Sequence, residues 1–248
     1  MIKAVLFDLD GTLIQTELLK ARSYAQALDQ LTRSTITEQE GIDAFKDYVG
    51  LSRKEVVAGL ATRFHEELAE HLKTDDSSML QDTLITKRLE IYHTMLEDSE
   101  LLSEYFCPFT LALFHKVKQA GLQVVLATMS HRKEADRILK LIGIQDQFDL
   151  IRTRDDVTEG KPDPEIYVRI YEDLQLAPKE CLVIEDSING IKAALHAKTP
   201  VFAVTNDITR KSVHNSGLLE DDSIVDDLSG LVSQVFTFLA LKKGEHIN

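Results

Sequence analysis

The chain has 248 residues, of which 44% are hydrophobic and 28% are charged, as is usual for a globular protein. Its 28 Lys and Arg against 41 Asp and Glu give a formal net charge of −13. We expect neither nucleic acid nor a membrane surface as a partner, because both bind clustered basic residues. With two cysteines, no recognisable signal peptide and no apolar run of the roughly 20 residues that span a bilayer, we expect a cytoplasmic protein.

Short apolar runs predict buried strands, and amphipathic stretches between them predict helices. The predicted strands are residues 2–7, 122–127, 148–151, 181–184 and 201–204, and the predicted helices are residues 111–120, 133–142, 164–174 and 188–196. Alternation of strand and helix at this spacing is typical of a parallel sheet with helices on both faces. We therefore predict an α/β fold with a Rossmann-like parallel sheet core.

Residues 17–104 show a different pattern. Apolar residues such as Val56 and Leu60 recur there at helical spacing, and the alternation typical of strands is not convincing. We interpret this segment as an inserted α-helical cap domain. The predicted catalytic core is then made of residues 1–16 and 105–248.

The string DLDGTL at residues 8–13 directly follows the first predicted strand. Along a regular strand, Asp8 and Asp10 would project to the same side, where two carboxylates repel unless one is protonated or a cation is close. Such a pair suits a reaction in which one carboxylate attacks while the other moves a proton. By itself, an Asp-Gly pair after a strand is more often ordinary turn chemistry.

Three further segments lie at the ends of predicted strands or the starts of predicted helices. Thr128 and Ser130 end the second apolar run, where a hydroxyl can donate to a phosphate oxygen or cap a helix. Lys161 precedes a Pro-Asp-Pro helix start and is either a surface amine or a counter-charge to the carboxylates. Glu185 and Asp186 end a buried run, and a helix cap would explain Asp186 but not Glu185.

Together these four segments resemble the sequence motifs of the haloacid dehalogenase superfamily, in the family's order and over nearly the whole chain. The likeness is to members with an α-helical cap, such as phosphoglycolate phosphatase and beta-phosphoglucomutase-like phosphatases. It implies that Asp8 is the nucleophile and that Asp10 donates and accepts the proton. It also implies that Asp8, Asp186 and the Asp10 carbonyl bind Mg²⁺. Glu185 is then either a further ligand or a hydrogen-bond acceptor that does not bind the ion itself.

The same resemblance assigns the phosphate contacts. Lys161 matches the lysine of the third motif, whose ammonium holds the transferring phosphoryl group. Thr128 matches the hydroxyl residue of the second motif, and the backbone amide of Met129 can also contribute. The Met129 side chain is bulkier than is typical there.

The cap gives weaker signals about the substrate. The string GLSR at residues 50–53 resembles a cap loop of beta-phosphoglucomutase, whose matching arginine contacts the distal phosphate of the substrate. An exposed arginine at a helix start explains Arg53 equally well. Lys20 stands where the mutase has a histidine that couples cap closure to Asp10, and this departure favours a phosphatase. Gln15 replaces an aspartate that many relatives carry, which leaves the subfamily open.

The predicted function is Mg²⁺-dependent hydrolysis of a small phosphorylated metabolite, such as a sugar phosphate, a polyol phosphate or a phosphoglycolate-like compound, by a monomer. A sugar-phosphate mutase is the main alternative. Dehalogenation and phosphonate cleavage are disfavoured, because relatives with those activities lack the acid at Asp10. A non-catalytic binding protein on the same fold is disfavoured because Asp8, Asp10, Lys161 and Asp186 are all present.

Overall fold

The computed structural model describes residues 1–48, 51 and 53–244. The described residues form two compact units, a core unit within Met1–Gln15 and Phe106–Asn248 and a helical unit within Thr16–Tyr105. In chain order the strands and helices are β1 (Ala4–Phe7), α1 (Thr16–Leu31), α2 (Glu38–Phe45), α3 (Arg53–Arg63), α4 (His65–Leu72), α5 (Ser77–Glu97), α6 (Ser99–Ser103), α7 (Pro108–Gln119), β2 (Gln123–Ala127), α8 (Arg132–Ile142), β3 (Leu150–Arg152), α9 (Glu165–Leu174), β4 (Cys181–Glu185), α10 (Ile188–His196), β5 (Val201–Val204), α11 (Arg210–Ser216), β6 (Ile224–Val225) and α12 (Leu231–Gly244).

Within the described residues, six strands form a parallel sheet in the order β3-β2-β1-β4-β5-β6. The strand β1 lies in the interior of the sheet, where Val5 pairs with Val124 of β2 and with Leu182 of β4. Every residue of β1 is buried. A parallel strand covered on both faces is expected to be apolar throughout rather than alternating, which is why the short apolar runs predicted it. The sheet confirms the predicted α/β class.

Helices cover both faces of this sheet. On one face, Leu6 belongs to a buried cluster with Ile166 of α9 and Ile191 of α10. Neighbouring strand residues point to opposite faces, and on the other face the ring of Phe7 meets that of Phe114 of α7, with centroids 5.8 Å apart. The two-sided cover confirms the predicted layering.

Some elements differ from the sequence prediction. The strand β3 begins at Leu150 rather than at residue 148, because Phe148 precedes the strand and its ring packs 4.9 Å from that of Phe114. The elements α11, β6 and α12 were not predicted from the sequence. The strand β6 has only two residues, and in α11 only Val213 is buried, so neither segment presents a clear periodic pattern.

The regular elements described in the helical unit are helices. The helix α5 packs against α1, α3 and α4, and α1 also packs against α2. The rings of Tyr24 and Phe45 stack with centroids 5.6 Å apart, and Leu60 is fully buried. A capping box of Thr37 and Glu40 starts α2. Among all helices in the described part of the chain, none has both the length and the apolar character needed to cross a membrane.

Candidate active site

The carboxyl ends of β1, β2 and β4 lie at the same edge of the sheet, because the three strands are parallel neighbours. Asp8 follows β1, and its N–H donates to the carbonyl of Ile184 in β4 at 3.0 Å. Thr128 follows β2, and Asp186 follows β4. The ends of these neighbouring strands therefore place the three polar residues at one edge of the sheet.

Asp10 and Gly11 lie in a tight turn. The strand β1 ends at Phe7, so Asp8 and Asp10 do not continue it as a regular strand. Gly11 has a φ of +85°, in the left-handed region that glycine favours. A Cβ atom at Gly11 would also lie 1.8 Å from Oδ2 of Asp186. Glycine is needed here both for the backbone conformation and for the space that Asp186 occupies.

Three buried carboxylates, those of Asp8, Glu185 and Asp186, have oxygens within 4.8 Å of one another. The Lys161 ammonium lies against this cluster. It donates to Oδ1 of Asp8 at 2.7 Å, to Oε1 of Glu185 at 2.8 Å and to the carbonyl of Ala127 at 2.8 Å. The Lys161 side chain is only 4% exposed, so it is not the surface amine that the sequence allowed.

Burial and charge perturb both groups of the central ion pair. The pKa of Asp8 is raised to about 8, chiefly by burial and also by the charges of Glu185 and Asp10, while Lys161 opposes the increase. Burial by itself would lower the pKa of Lys161, but Asp8 and Glu185 outweigh that effect and raise it well above its usual range. The Lys161 ammonium contacts two of the three clustered carboxylates, so the excess of negative charge favours an additional cation.

Glu185 directs its carboxylate toward protein donors. Its Oε2 accepts from the backbone N–H groups of Asp186 and Ser187, each at 2.8 Å, and from the Ser187 hydroxyl at 3.0 Å. Its Oε1 accepts from Lys161. A Cβ atom at Gly190 would lie 1.6 Å from Oε1, so this glycine leaves the space that Glu185 fills. No role for Gly190 was predicted from the sequence.

The Asp10 carboxylate has hydroxyl partners on the segment after β2. Its Oδ2 accepts from the Ser130 hydroxyl at 2.5 Å and from the Thr128 hydroxyl at 3.4 Å. The helix α8 starts after His131, and the N–H of Arg132 donates to Asp155 instead of to either hydroxyl. The helix-cap explanation for Thr128 and Ser130 is therefore wrong.

Two further residues complete the surroundings of Lys161. The Met129 sulfur accepts from the Lys161 backbone N–H at 3.3 Å, so this side chain packs along the 160–161 backbone. The Tyr167 ring, from α9, is fully buried, and its centroid lies 5.5 Å from the Lys161 ammonium. Tyr167 was not singled out from the sequence, because an aromatic residue in an amphipathic helix resembles any core residue.

The core unit brings together most of the residues selected from the sequence, namely Asp8, Asp10, Thr128, Met129, Lys161, Glu185 and Asp186. Lys20 and Arg53 belong to the helical unit. Lys20 pairs with Glu17 at 2.6 Å, and Arg53 is an exposed residue at the start of α3. Gly50 and Ser52 of the string that resembles the mutase loop lie outside the described residues.

Comparison with known proteins places these features in a family. YhcW of Bacillus subtilis, which has a provisional phosphatase assignment, is 32% identical over 215 residues that cover 84% of this chain and 86% of that protein. The phosphorylated carbohydrates phosphatase of Thermotoga maritima is 29% identical over 206 residues, covering 79% of this chain and 82% of that enzyme. Both matches therefore cover most of this chain and most of each relative.

A solved structure from Thermotoga maritima, provisionally assigned as a beta-phosphoglucomutase, aligns with a TM-score of 0.66 and 25% identity, covering 95% of this chain and 99% of that one. The family model for haloacid dehalogenase-like hydrolases matches residues 2–198. This match and the motif residues gathered at the sheet edge agree with the resemblance seen in the sequence: the protein belongs to the haloacid dehalogenase-like hydrolase family.

Proposed function

We propose that the protein is a phosphatase that hydrolyses a small phosphorylated metabolite, such as a sugar or polyol phosphate, through a phosphorylated Asp8. The main support is the setting of Asp8, whose buried carboxylate lies 2.7 Å from the Lys161 ammonium and beside two further acids. A carboxylate nucleophile that lies next to an ammonium group and to carboxylates able to bind a metal ion suits phosphoryl transfer. The relatives named as phosphatases support the same activity.

The donor set fits Mg²⁺ as the cofactor. Hard carboxylate and carbonyl oxygens are the ligands that Mg²⁺ prefers, and one or two carboxylates suffice. In our proposal Asp8, Asp186 and the Asp10 carbonyl would hold the ion, and Gly11 leaves the space that the Asp186 carboxylate needs. Glu185 would stabilise these ligands without binding the ion, because its two oxygens already accept from Lys161 and from the turn after β4. A bound Mg²⁺ would neutralise charge on the phosphoryl oxygens.

The first half-reaction transfers the phosphoryl group to the protein. An oxygen of Asp8 attacks phosphorus, and the bond between phosphorus and the substrate oxygen breaks. Asp10, protonated at this stage, donates its proton to the departing oxygen. The hydroxyl of Ser130, which is hydrogen-bonded to the Asp10 carboxyl, orients that carboxyl. Lys161 and Thr128 stabilise the negative charge on the transferring group.

The second half-reaction returns Asp8 to its free form. Asp10, now ionised, removes a proton from a water molecule that attacks phosphorus. The bond between Asp8 and phosphorus then breaks, and inorganic phosphate leaves. The Asp10 carboxyl therefore acts first as an acid and then as a base. It must lie near the departing substrate oxygen in the first half-reaction and near the attacking water in the second.

We also propose that residues 17–104 form a cap domain that takes part in substrate choice, with Arg53 and Lys20 as candidate contacts. The second candidate function, a sugar-phosphate mutase, is favoured by the likeness to the structure assigned as a beta-phosphoglucomutase. A mutase would pass the phosphoryl group from Asp8 to a second hydroxyl rather than to water. A requirement for a sugar bisphosphate in turnover would identify it.

The test is phosphate release from a panel of sugar, polyol, glycolate and nucleoside monophosphates, with Mg²⁺ and with EDTA. Asp8→Asn is compared with Asp146→Asn, a matched change at an exposed position of the core unit. We expect release that needs Mg²⁺ and Asp8, with Asp146→Asn equal to wild type. No release from any member of the panel would overturn the phosphatase, and mutase assays with a bisphosphate primer would follow.

A further inference from the structure

Gln15 joins two turns of the core unit through both ends of its amide. Its Nε2 donates to the carbonyl of Gly11 at 3.0 Å, and its Oε1 accepts from Nδ2 of Asn206 at 2.6 Å. Gln15 and Asn206 are 191 positions apart in the chain. The contact therefore links the turn that follows β1 to the loop that follows β5.

The loop after β5 fixes the orientation of the Asn206 amide. Its Oδ1 accepts from the N–H groups of Ile208 at 2.8 Å and Thr209 at 3.0 Å, which is the pattern of a side chain that caps a turn. The other end of the amide must then be the NH₂ group, which donates. Gln15 consequently presents its oxygen to Asn206 and its nitrogen to Gly11, and the direction of both hydrogen bonds is determined.

The link passes from one side of β4 to the other, because β4 lies between β1 and β5 in the sheet. Asp186 follows β4 and lies directly against Gly11. A Cβ atom at Gly11 would be 1.8 Å from Oδ2 and 2.7 Å from Oδ1 of Asp186. The Asp186 carboxylate therefore packs against the Gly11 backbone, and a movement of the Gly11 turn away from the sheet edge would remove this packing contact.

We infer that Gln15 and Asn206 are positioning residues that hold the Gly11 turn against Asp186 and thereby set the affinity of the site for Mg²⁺. The inference rests on the proposed function, since it assumes that Asp186 binds the ion. Neither amide contacts the cluster of Asp8, Glu185 and Asp186 in the described hydrogen bonds, so both act through Gly11. Groups that orient metal ligands in this way affect metal affinity strongly.

Three variants separate the contacts. Gln15→Leu removes both hydrogen bonds. Gln15→Glu keeps an acceptor for Asn206 but has no N–H for the Gly11 carbonyl. Asn206→Asp keeps the acceptor for Ile208 and Thr209, so the loop remains capped, and removes only the donor to Gln15.

The control is Gln147→Leu. Gln147 also donates from Nε2 to the carbonyl of a glycine four positions earlier, Gly143, at 3.1 Å, but at an exposed position. It therefore matches the Gln15 contact in type and sequence spacing. Its loss should leave Mg²⁺ binding unchanged.

The experiment measures the dissociation constant for Mg²⁺ by calorimetry on the metal-free full chain, together with the melting temperature in EDTA. For Gln15→Leu, Gln15→Glu and Asn206→Asp we expect weaker Mg²⁺ binding by roughly tenfold or more. Phosphate release by these variants should recover at high Mg²⁺. Combining Gln15→Leu with Asn206→Asp should weaken binding no further than Gln15→Leu alone, because both act on one contact.

A lower melting temperature with an unchanged Mg²⁺ dissociation constant would show that the pair only supports the fold, and would overturn the inference while leaving the phosphatase intact. A wild-type chain that binds no Mg²⁺ would overturn the metal assignment and the inference with it. Should Gln15→Leu fail to fold, Asn206→Asp, which retains the capped loop, decides the matter by the same measurement.

Discussion

At the scale of single residues, the site depends on charged groups that are buried together. Asp8 and Lys161 form an ion pair at 2.7 Å, and Glu185 contacts the same ammonium at 2.8 Å. Taking charged groups out of water costs free energy, and three buried carboxylates lie beside the single ammonium of Lys161. The acids of the site are therefore expected to reduce the stability of the metal-free protein, and a bound cation to restore it.

The raised pKa of Asp8 gives a prediction for the metal-free protein. Folding raises this pKa from 3.8 to about 8, so the stabilising effect of the protonated carboxyl is complete below pH 3.8, declines as the pH rises, and is lost above about pH 8. Asp8→Asn stays neutral at every pH. In EDTA we expect its melting temperature to exceed that of wild type above pH 8, and the difference to narrow as the pH falls.

Melting curves measured across this pH range test the sign directly, with Asp146→Asn as the control. A difference between Asp8→Asn and wild type that does not change with pH would contradict the raised pKa. Adding Mg²⁺ should raise the melting temperature of wild type more than that of Asp8→Asn, because the variant lacks one charged ligand of the proposed set.

A second prediction concerns the space around Glu185. Gly190→Ala would place a methyl group 1.6 Å from Oε1 and 1.9 Å from Cδ of Glu185, so the carboxylate must move away from Lys161. We expect a loss of about 1–3 kcal/mol in the free energy of unfolding, as for overpacked sites, and a lower kcat.

Gly230→Ala is the matched control for this change, because the nearest atom to its added methyl is the flexible Gln234 amide at 3.3 Å. Chemical denaturation and phosphate release are measured on both variants. Equal stability and equal kcat for the two would show that Glu185 does not need the space beside Gly190.

At the scale of the elements, helix α2 depends on its start. The Thr37 hydroxyl accepts from the Glu40 N–H at 3.3 Å, and the Glu40 carboxylate accepts from the Thr37 N–H at 2.8 Å. Thr37→Ala should cost about 0.5–2 kcal/mol of stability, the usual effect of a lost N-cap. Thr94→Ala, within α5, removes a hydroxyl bonded to the Glu90 carbonyl and should have little effect.

Denaturation followed by circular dichroism measures both threonine variants against wild type. Equal curves for Thr37→Ala and wild type would mean that the capping box does not limit the stability of the helical unit. A loss for Thr94→Ala as large as that for Thr37→Ala would show that the cap has no special role, because the same loss then follows at an exposed threonine inside a helix.

The elements also show how far the sequence could predict the fold. The strands β1, β2, β4 and β5 were recognisable because both faces of a parallel sheet are covered, which requires apolar runs. The helix α12 was not recognisable, although Leu231, Val235 and Leu239 are buried. Its apolar residues surround the helix rather than forming one stripe, so no amphipathic pattern marked it.

The residues of the candidate site that directly follow a strand could be predicted from the sequence. The backbone of a strand places the next residue, which is why Asp8, Thr128 and Asp186 stood out as candidates. Their roles were assigned by the resemblance to the family, because position alone also allowed a turn or a helix cap. The contact between Ser130 and Asp10 joins residues 120 positions apart, and no sequence spacing signals it. The space that Gly190 leaves for Glu185 is likewise a property of the folded chain, since a helical glycine has many explanations.

At the scale of the whole molecule, the core unit is built from two stretches of the chain that the helical unit separates. The stretches meet where the chain leaves and re-enters the core, since Ile14 and Phe106 form an antiparallel bridge and the Cys107 N–H donates to the Leu13 carbonyl at 3.0 Å. An insertion at such a point leaves the order of the strands unchanged. All the residues proposed for chemistry lie in the core unit.

The central claim is that Asp8 becomes phosphorylated during turnover. The most direct measurement is acid quenching of the enzyme during turnover of its best substrate with Mg²⁺, followed by borohydride trapping and mass mapping of the peptides. The account predicts that the peptide containing Asp8 is modified at that residue and that Asp8→Asn yields neither the modified peptide nor phosphate. Phosphate release that persists in Asp8→Asn, or a phosphoryl group on another residue of the wild type, would contradict it.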